Sequence, residues 1–183
     1  LSVFTVFAGF IGLLCAFFIS KNCWLILIPM GGISIFYVVP IIPFYKKSPS
    51  LRNLPYLKVF LIGLVWSLII IGLPILDTPN FLKFNINYAL LILQNLFFVV
   101  AITLPFDIRD LNFDKANKLK TLPQLLGVKK TIIFSEALLI SSITMLFFLE
   151  LPFQHFIGLT IGYLITMLLI LFTKETRKEI FFS

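Results

Sequence analysis

Six stretches of the chain, at 2–20, 24–42, 59–76, 86–106, 131–149 and 156–173, are long apolar runs. Crossing the hydrocarbon core of a bilayer takes about 17–25 helical residues, and each run meets that length. Helix is the only backbone such runs can adopt in lipid. Unpaired amides there are too costly, and none of the runs alternates with strand period. Polar punctuation divides them: Lys21-Asn22, a loop from Pro43 to Pro55, the turn Asp77-Thr78-Pro79-Asn80, and Glu150-Leu151-Pro152. Composition agrees. With 60% hydrophobic and 13% charged residues, against about 25% charged in a soluble domain, a water-soluble globule and a disordered chain are both excluded. The expected fold class is all-α, a polytopic transmembrane helical bundle forming one domain.

The formal net charge of +7 follows the same plan. Thirteen of the fifteen basic residues fall in the loop after the second run, the loop after the fourth, and the tail; only Lys21 and Lys83 lie on the other side. Basic loops stay in the cytoplasm, so these three segments, and with them both ends of the chain, are expected to be cytoplasmic. The charge is thus topological, and no nucleic-acid partner is expected. Usage rich in Lys, Phe and Ile suggests a bacterial inner membrane. Cys15 and Cys23 fit no metal spacing and are expected to be reduced packing residues. The chain opens on Leu1 and is expected to be a piece of a longer reading frame.

Acidic residues are scarce, and three of the four aspartates cluster as Asp107-Ile-Arg-Asp110-Leu-Asn-Phe-Asp114. If the fourth helix runs on past the membrane surface, these offsets put the three carboxylates within about 60° of one another, with Arg109 pointing elsewhere. Clustered carboxylates repel unless a cation or water screens them. Oxygen donors without Cys or His suit a hard divalent ion such as Mg²⁺, and the nearby Arg109, Lys115, Lys118 and Lys120 suit a phosphate ester. A solvated helix end of mixed charge presents the same pattern, and spacing alone does not separate the two.

The loop continues Lys118-Leu-Lys120-Thr121-Leu122-Pro123-Gln124-Leu125-Leu126-Gly127. Together with Asp107–Asp114 it resembles the second aspartate-rich motif of the UbiA-type intramembrane prenyltransferases. Tyr37 through Lys47, with Arg52 beyond, is similar to the loop that carries a Tyr and basic residues near the diphosphate in that family. The resemblance spans roughly residues 30–135. It implies a helical bundle of about nine spans, of which these six would be the third to the eighth. The first two helices, with a first aspartate-rich motif, and the last helix would then lie outside this chain.

The resemblance further implies Mg²⁺-dependent transfer of a prenyl group from an allylic diphosphate to an aromatic or other lipophilic acceptor. Asp107, Asp110 and Asp114 would bind Mg²⁺. Lys118 and Lys120 would bind the diphosphate, with Lys46, Lys47 and Arg52 arriving from the preceding loop, and Tyr37 would contact substrate. The partners would be the prenyl diphosphate, the acceptor and the bilayer. Two alternatives stand beside this. One is a non-catalytic or divergent membrane protein of the same fold. The other is a transporter fragment, for which Pro29-Met-Gly-Gly32 is a candidate helix break without a mirrored partner.

Other polar residues in the runs read more simply. Gln94 and Asn95 lie mid-span and are expected to bond between helices. Glu136 lies about one and a half turns inside the fifth run, shallow enough to reach water. His155 is expected at the surface, and the 22 Phe are expected to face lipid.

Overall fold

A computed structural model describes residues 2–16, 18–39, 51, 54, 56–78, 86–117 and 119–181. The chain is all-helical there. In chain order the helices are α1 (Ser2–Ala16), α2 (Trp24–Val38), α3 (Lys58–Leu76), α4 (Ile86–Arg109), α5 (Leu111–Ala116), α6 (Leu122–Leu126), α7 (Val128–Leu146) and α8 (Phe153–Phe181). A helix lies in each of the six apolar runs, and the short α5 and α6 cross one end of the bundle between α4 and α7. The chain is thus a helical membrane bundle.

Three helices among the described residues are long and apolar enough to cross a membrane: Lys58–Leu76, Ile86–Arg109 and Phe153–Phe172. The others differ for visible reasons. α1 and α2 have 15 residues each, about 22 Å of helix against a hydrocarbon core of about 30 Å. α7 has 19 residues but carries Lys129, Lys130 and Glu136.

α4 is the axis of the bundle. It packs most extensively on α7, then on α3 along its other side, and α8 closes against both α4 and α7. Ala101, Leu139 and Leu146 are fully buried between these helices, with Ile108, Ile132, Tyr163 and Ile170 around them. A second cluster of Val59, Val100 and Leu104 joins α3 to α4, and Leu122 of α6 packs on it. Close approach here needs a glycine. A Cβ on Gly63 would lie 2.7 Å from Val100 Cγ2 and 3.0 Å from Leu96 Cδ1. The outward faces are apolar too: Phe7, Phe10, Trp66, Phe147, Phe148 and Phe172 are all more than half exposed, as lipid contact demands. Cys15, expected to be packed, is exposed, whereas Cys23 is buried; both are free thiols.

Among the described residues proline lies inside three of the longer helices, Pro29 in α2, Pro74 in α3 and Pro105 in α4, and at the last two the break is repaired. Pro74 has no N–H to give, and the ladder widens to π-helix over Leu68–Gly72, with Leu73 N–H bonding Leu68 O. Pro105 in α4 leaves the carbonyl of Ala101 without its usual partner. Ser135 Oγ of α7 donates to that carbonyl at 2.7 Å, at a point where both residues are fully buried. Gln94, expected to bond between helices, donates to Tyr163 of α8, and Ser142 of α7 donates to its carbonyl at 3.1 Å.

The Pro105–Ser135 repair has a testable signature. Ser135→Ala strands one buried carbonyl and lowers stability by about 1 kcal/mol. Adding Pro105→Ala restores a backbone donor, so the double variant recovers at least the original thermal midpoint. A double variant no more stable than Ser135→Ala shows that the hydroxyl is not replacing the missing amide.

Candidate functional site

Three chain segments meet at the end of the bundle where α3 begins and α4 ends. Lys58 opens α3, Asp107 lies in the last turn of α4, and Asp114 lies in α5. Lys58 Nζ donates to Asp107 Oδ1 at 2.7 Å and lies 3.7 Å from Asp114 Oδ2. Asp107 and Asp114 are buried, with 5% and 2% of their side chains exposed, and Lys58 is half-buried at 18%. At 3.7 Å the second contact is an ion pair without a hydrogen bond, and Asp114 Oδ2 has no hydrogen-bond partner. Lys58 and Asp107 do not help their own helices, whereas Asp114 lies in the first turn of α5, where an anion is favourable. A cation at a helix N-terminus and an anion at a C-terminus both oppose the helix dipole.

The aspartates do not form one continuous stripe. α4 ends at Arg109, and Asp110 takes φ −89° and ψ 10° before α5 starts at Leu111. Backbone bonds from Asp110 N to Phe106 O and from Asp114 N to Asp110 O, each 2.9 Å, carry the chain around this bend. Asp107 and Asp114 therefore turn inward to Lys58. Asp110 stays at the rim, where Arg109 donates to both of its carboxylate oxygens at 2.8 and 3.2 Å and also lies over the Phe106 ring. The three carboxylates remain close enough for Asp110 and Asp114 to act electrostatically on Asp107.

The segment after α5 props the site. Leu119 N donates to Asp114 O at 2.9 Å, and Tyr56 N donates to Lys120 O at 3.0 Å. Tyr56 holds φ at 62°, a left-handed conformation that a bulky residue seldom takes, two residues before Lys58. Lys120 thus contributes its carbonyl to the frame while its side chain is exposed. Thr121 opens α6, Pro123 occupies its first turn, and Gly127 ends it at φ 80° and ψ 158°, a region almost closed to other residues. The Lys-Thr-Leu-Pro-x-Leu-Leu-Gly string is therefore a turn of defined shape. Thr121 is buried, and its hydroxyl has no hydrogen-bond partner.

An apolar groove of about 160 Å³ opens between α2 and α3, lined by Ile33, Ser34, Tyr37, Leu61, Val65 and Trp66 among others. Leu61, which lines it, follows Lys58 by one helical turn of α3, so the groove opens on the same stretch of α3 as the charged cluster.

Of the residues expected at the site, the structure brings Asp107 and Asp114 together around Lys58, places Tyr37 in the lining of the neighbouring groove, and places Asp110 and Lys120 at the rim. Lys46, Lys47, Arg52 and Lys118 lie outside the described residues. Sequence reasoning missed Lys58 as a site residue and counted it only as a loop charge. The available signal was its position, the last charge before an apolar span, level with carboxylates that need a counter-ion. Glu136 is half-buried in α7 with neither carboxylate oxygen bonded, and His155 is exposed as expected.

Among the described residues, no three His, Cys, Asp or Glu side chains converge as a metal-holding group. Asp107 and Asp114 nonetheless fit a hard divalent ion in chemistry. Both are buried, both offer only oxygen, and Asp114 Oδ2 has no hydrogen-bond donor.

Removing one partner from a buried ion pair strands the other. Asp107→Asn is expected to lower stability by about 2–4 kcal/mol in reversible unfolding. Lys58→Gln in the same chain is expected to recover part of this, with a coupling of about 1–3 kcal/mol. Additive effects would mean that the two groups do not interact in the folded bundle.

No curated protein and no solved structure matches the chain. The sequence profile of the UbiA prenyltransferase family matches residues 1–180, nearly the whole length. The charged cluster beside an apolar groove thus lies in a member of a prenyltransferase family: the chain belongs to the UbiA prenyltransferase family.

Proposed function

We propose that this protein transfers a prenyl group from an allylic diphosphate to a lipophilic acceptor, at the cytoplasmic mouth of the bundle and with Mg²⁺. The observation that carries the reading is the pair of buried carboxylates, Asp107 and Asp114, held together at one end of the bundle by Lys58, one helical turn before Leu61 of an apolar groove. A prenyl diphosphate has the same two-part chemistry, a polyanionic head and an apolar tail.

Asp107 and Asp114 would hold the metal, with Asp110 reaching it through water from the rim. Bound Mg²⁺ supplies neutralisation of the diphosphate oxygens as they take up charge. Lys120 is exposed beside the site and would meet the outer phosphate, joined by Lys118, Lys46, Lys47 and Arg52. The groove lined by Tyr37, Leu61 and Trp66 would take the first part of the isoprenoid chain and exclude water from the allylic carbon. In the reaction the allylic carbon–oxygen bond breaks and its electron pair leaves with the diphosphate. The acceptor's nucleophilic atom bonds the allylic carbon and releases a proton. Aromatic faces such as Tyr37 and Trp66 suit a cationic carbon in a cavity poor in water.

One observation favours a second reading, a family member that keeps the fold without catalysis. Lys58 already neutralises part of the acidic pair. The same assay separates the two. The full-length protein in nanodiscs, given prenyl diphosphates of increasing length and lipophilic acceptors, is expected to turn over only with Mg²⁺. Asp107→Ala and Asp114→Ala each remove that turnover while membrane insertion persists. Lys120→Ala raises the KM for the diphosphate about tenfold, the worth of one exposed phosphate contact, and leaves the acceptor KM unchanged. Turnover retained in both aspartate variants would remove them from the metal site. No turnover with any donor favours the non-catalytic reading.

A further inference from the structure

We propose that Lys58 is a built-in counter-ion that competes with the divalent cation for Asp107 and Asp114, and must leave them for the metal to enter. The inference rests on the prenyl-transfer reading for the identity of the cation, and on this chain's own geometry for the competition.

The ammonium occupies the place a metal would take. It reaches both carboxylates at once, at 2.7 and 3.7 Å, from the first residue of a different helix. One positive charge facing two negative ones leaves the cluster short of a charge. The shortfall is visible at Asp114, whose Oδ2 lies within ion-pair distance of Lys58 and has no hydrogen-bond partner. Thr121, buried at the same end of the bundle, also has an unpartnered hydroxyl oxygen. A dication between the two aspartates would supply the missing charge, but it would then face the ammonium at contact distance in a poorly hydrated site. Like charges so placed repel too strongly to coexist. Occupation by one excludes the other.

Lysine suits such an exchange. Its charge rides on four flexible carbons, and Lys58 keeps 18% of its side chain exposed, so it has a way out. The groove lined by Tyr37 and Leu61 opens one helical turn along α3 from it. An ammonium displaced in that direction stays beside the entrance, where an anionic headgroup would meet it. The metal and the anion would then support each other's entry. The metal frees the ammonium, and the anion gives it a new partner.

The competition has a direct measurement. Purified full-length protein in nanodiscs is titrated with Mn²⁺ alone, and bound ion is read by electron paramagnetic resonance. Lys58→Gln is expected to bind Mn²⁺ at least about tenfold more tightly than the unmodified protein. Lys58→Arg, which keeps the cation, stays as weak as the original, and Asp107→Asn in the Lys58→Gln chain removes the gain. Equal or weaker binding by Lys58→Gln overturns the proposal, as does a gain that survives Asp107→Asn. A second reading uses the unmodified protein and so does not depend on the variants folding. Saturating Mg²⁺ is expected to raise labelling of Lys58 by an amine-directed reagent several-fold, measured by peptide mass spectrometry, while Lys115 and Lys129 do not change. Labelling of Lys58 that is constant or falls with Mg²⁺ overturns the proposal independently. Tight Mn²⁺ binding by Lys58→Gln in a protein that transfers no prenyl group would leave the competition standing and remove the catalytic reading. Transfer activity without the gain in affinity would do the reverse.

Discussion

Lipid offers no hydrogen bonds, so every donor and acceptor in these spans must be satisfied by the protein itself. Much of the polar detail in the bundle follows from that constraint. Ser34, Ser67, Ser141 and Thr166 each donate to the carbonyl four residues earlier on their own helix. At Pro74 the repair is a wider turn over Leu68–Gly72, and at Pro105 it is a hydroxyl from the next helix, Ser135 on Ala101. The second solution does more than repair. It locks α7 against α4 six residues before Asp107, and with Gln94 bonded to Tyr163 and Ser142 bonded to Gln94 it gives α4 fixed neighbours along its length. A rigid α4 is what allows its last turn to hold a charge in a defined place.

The charged end of the bundle obeys the opposite logic. Lys58 at a helix start and Asp107 at a helix end are each unfavourable for their own helix; Asp107 is buried and Lys58 half-buried. Secondary structure alone would reverse them. They persist because each compensates the other, and because Tyr56 in its left-handed turn, tied to Lys120, fixes where α3 begins. Local strain and opposed dipoles are thus concentrated at one place, at the carboxylates that the proposed reading assigns to the metal.

The helices were legible in the sequence because hydropathy and length are read directly from residues 59–76, 86–106 and their neighbours. The inter-helix role of Gln94 was legible for the same reason: an amide in the middle of an apolar run has nowhere else to turn. Its partner, Tyr163, was not, since any of several helices could have supplied it. The aspartates were recognisable as a cluster, yet their arrangement was not, because a bend at Asp110 reorients Asp114 and the rest of α5. Nothing in Arg109-Asp110-Leu111 announces that bend as a proline or glycine would. Lys58 was missed for a different reason. A lysine bordering a span is ordinarily a topological charge, and only the antiparallel packing of α3 on α4 brings it level with Asp107.

That packing also explains why one end of the bundle carries both the charge and the groove. α2 and α3 diverge enough to leave a cavity between Ser34, Tyr37 and Trp66, while α3 and α4 approach closely enough at Gly63 for Val100 to fill the space of a side chain. The same helix, α3, is thus open on one side and closed on the other, and Lys58 stands at the start of both faces. On the proposed reading, a molecule with an apolar tail and an anionic head, lying in the groove with its head outward, would bring that head toward Lys58, one turn before Leu61. The cluster it meets there carries two carboxylates and one ammonium and would repel a bare anion. On the proposed reading binding therefore requires added positive charge, and Asp114, whose Oδ2 the existing cation leaves without a hydrogen bond, would help to hold it.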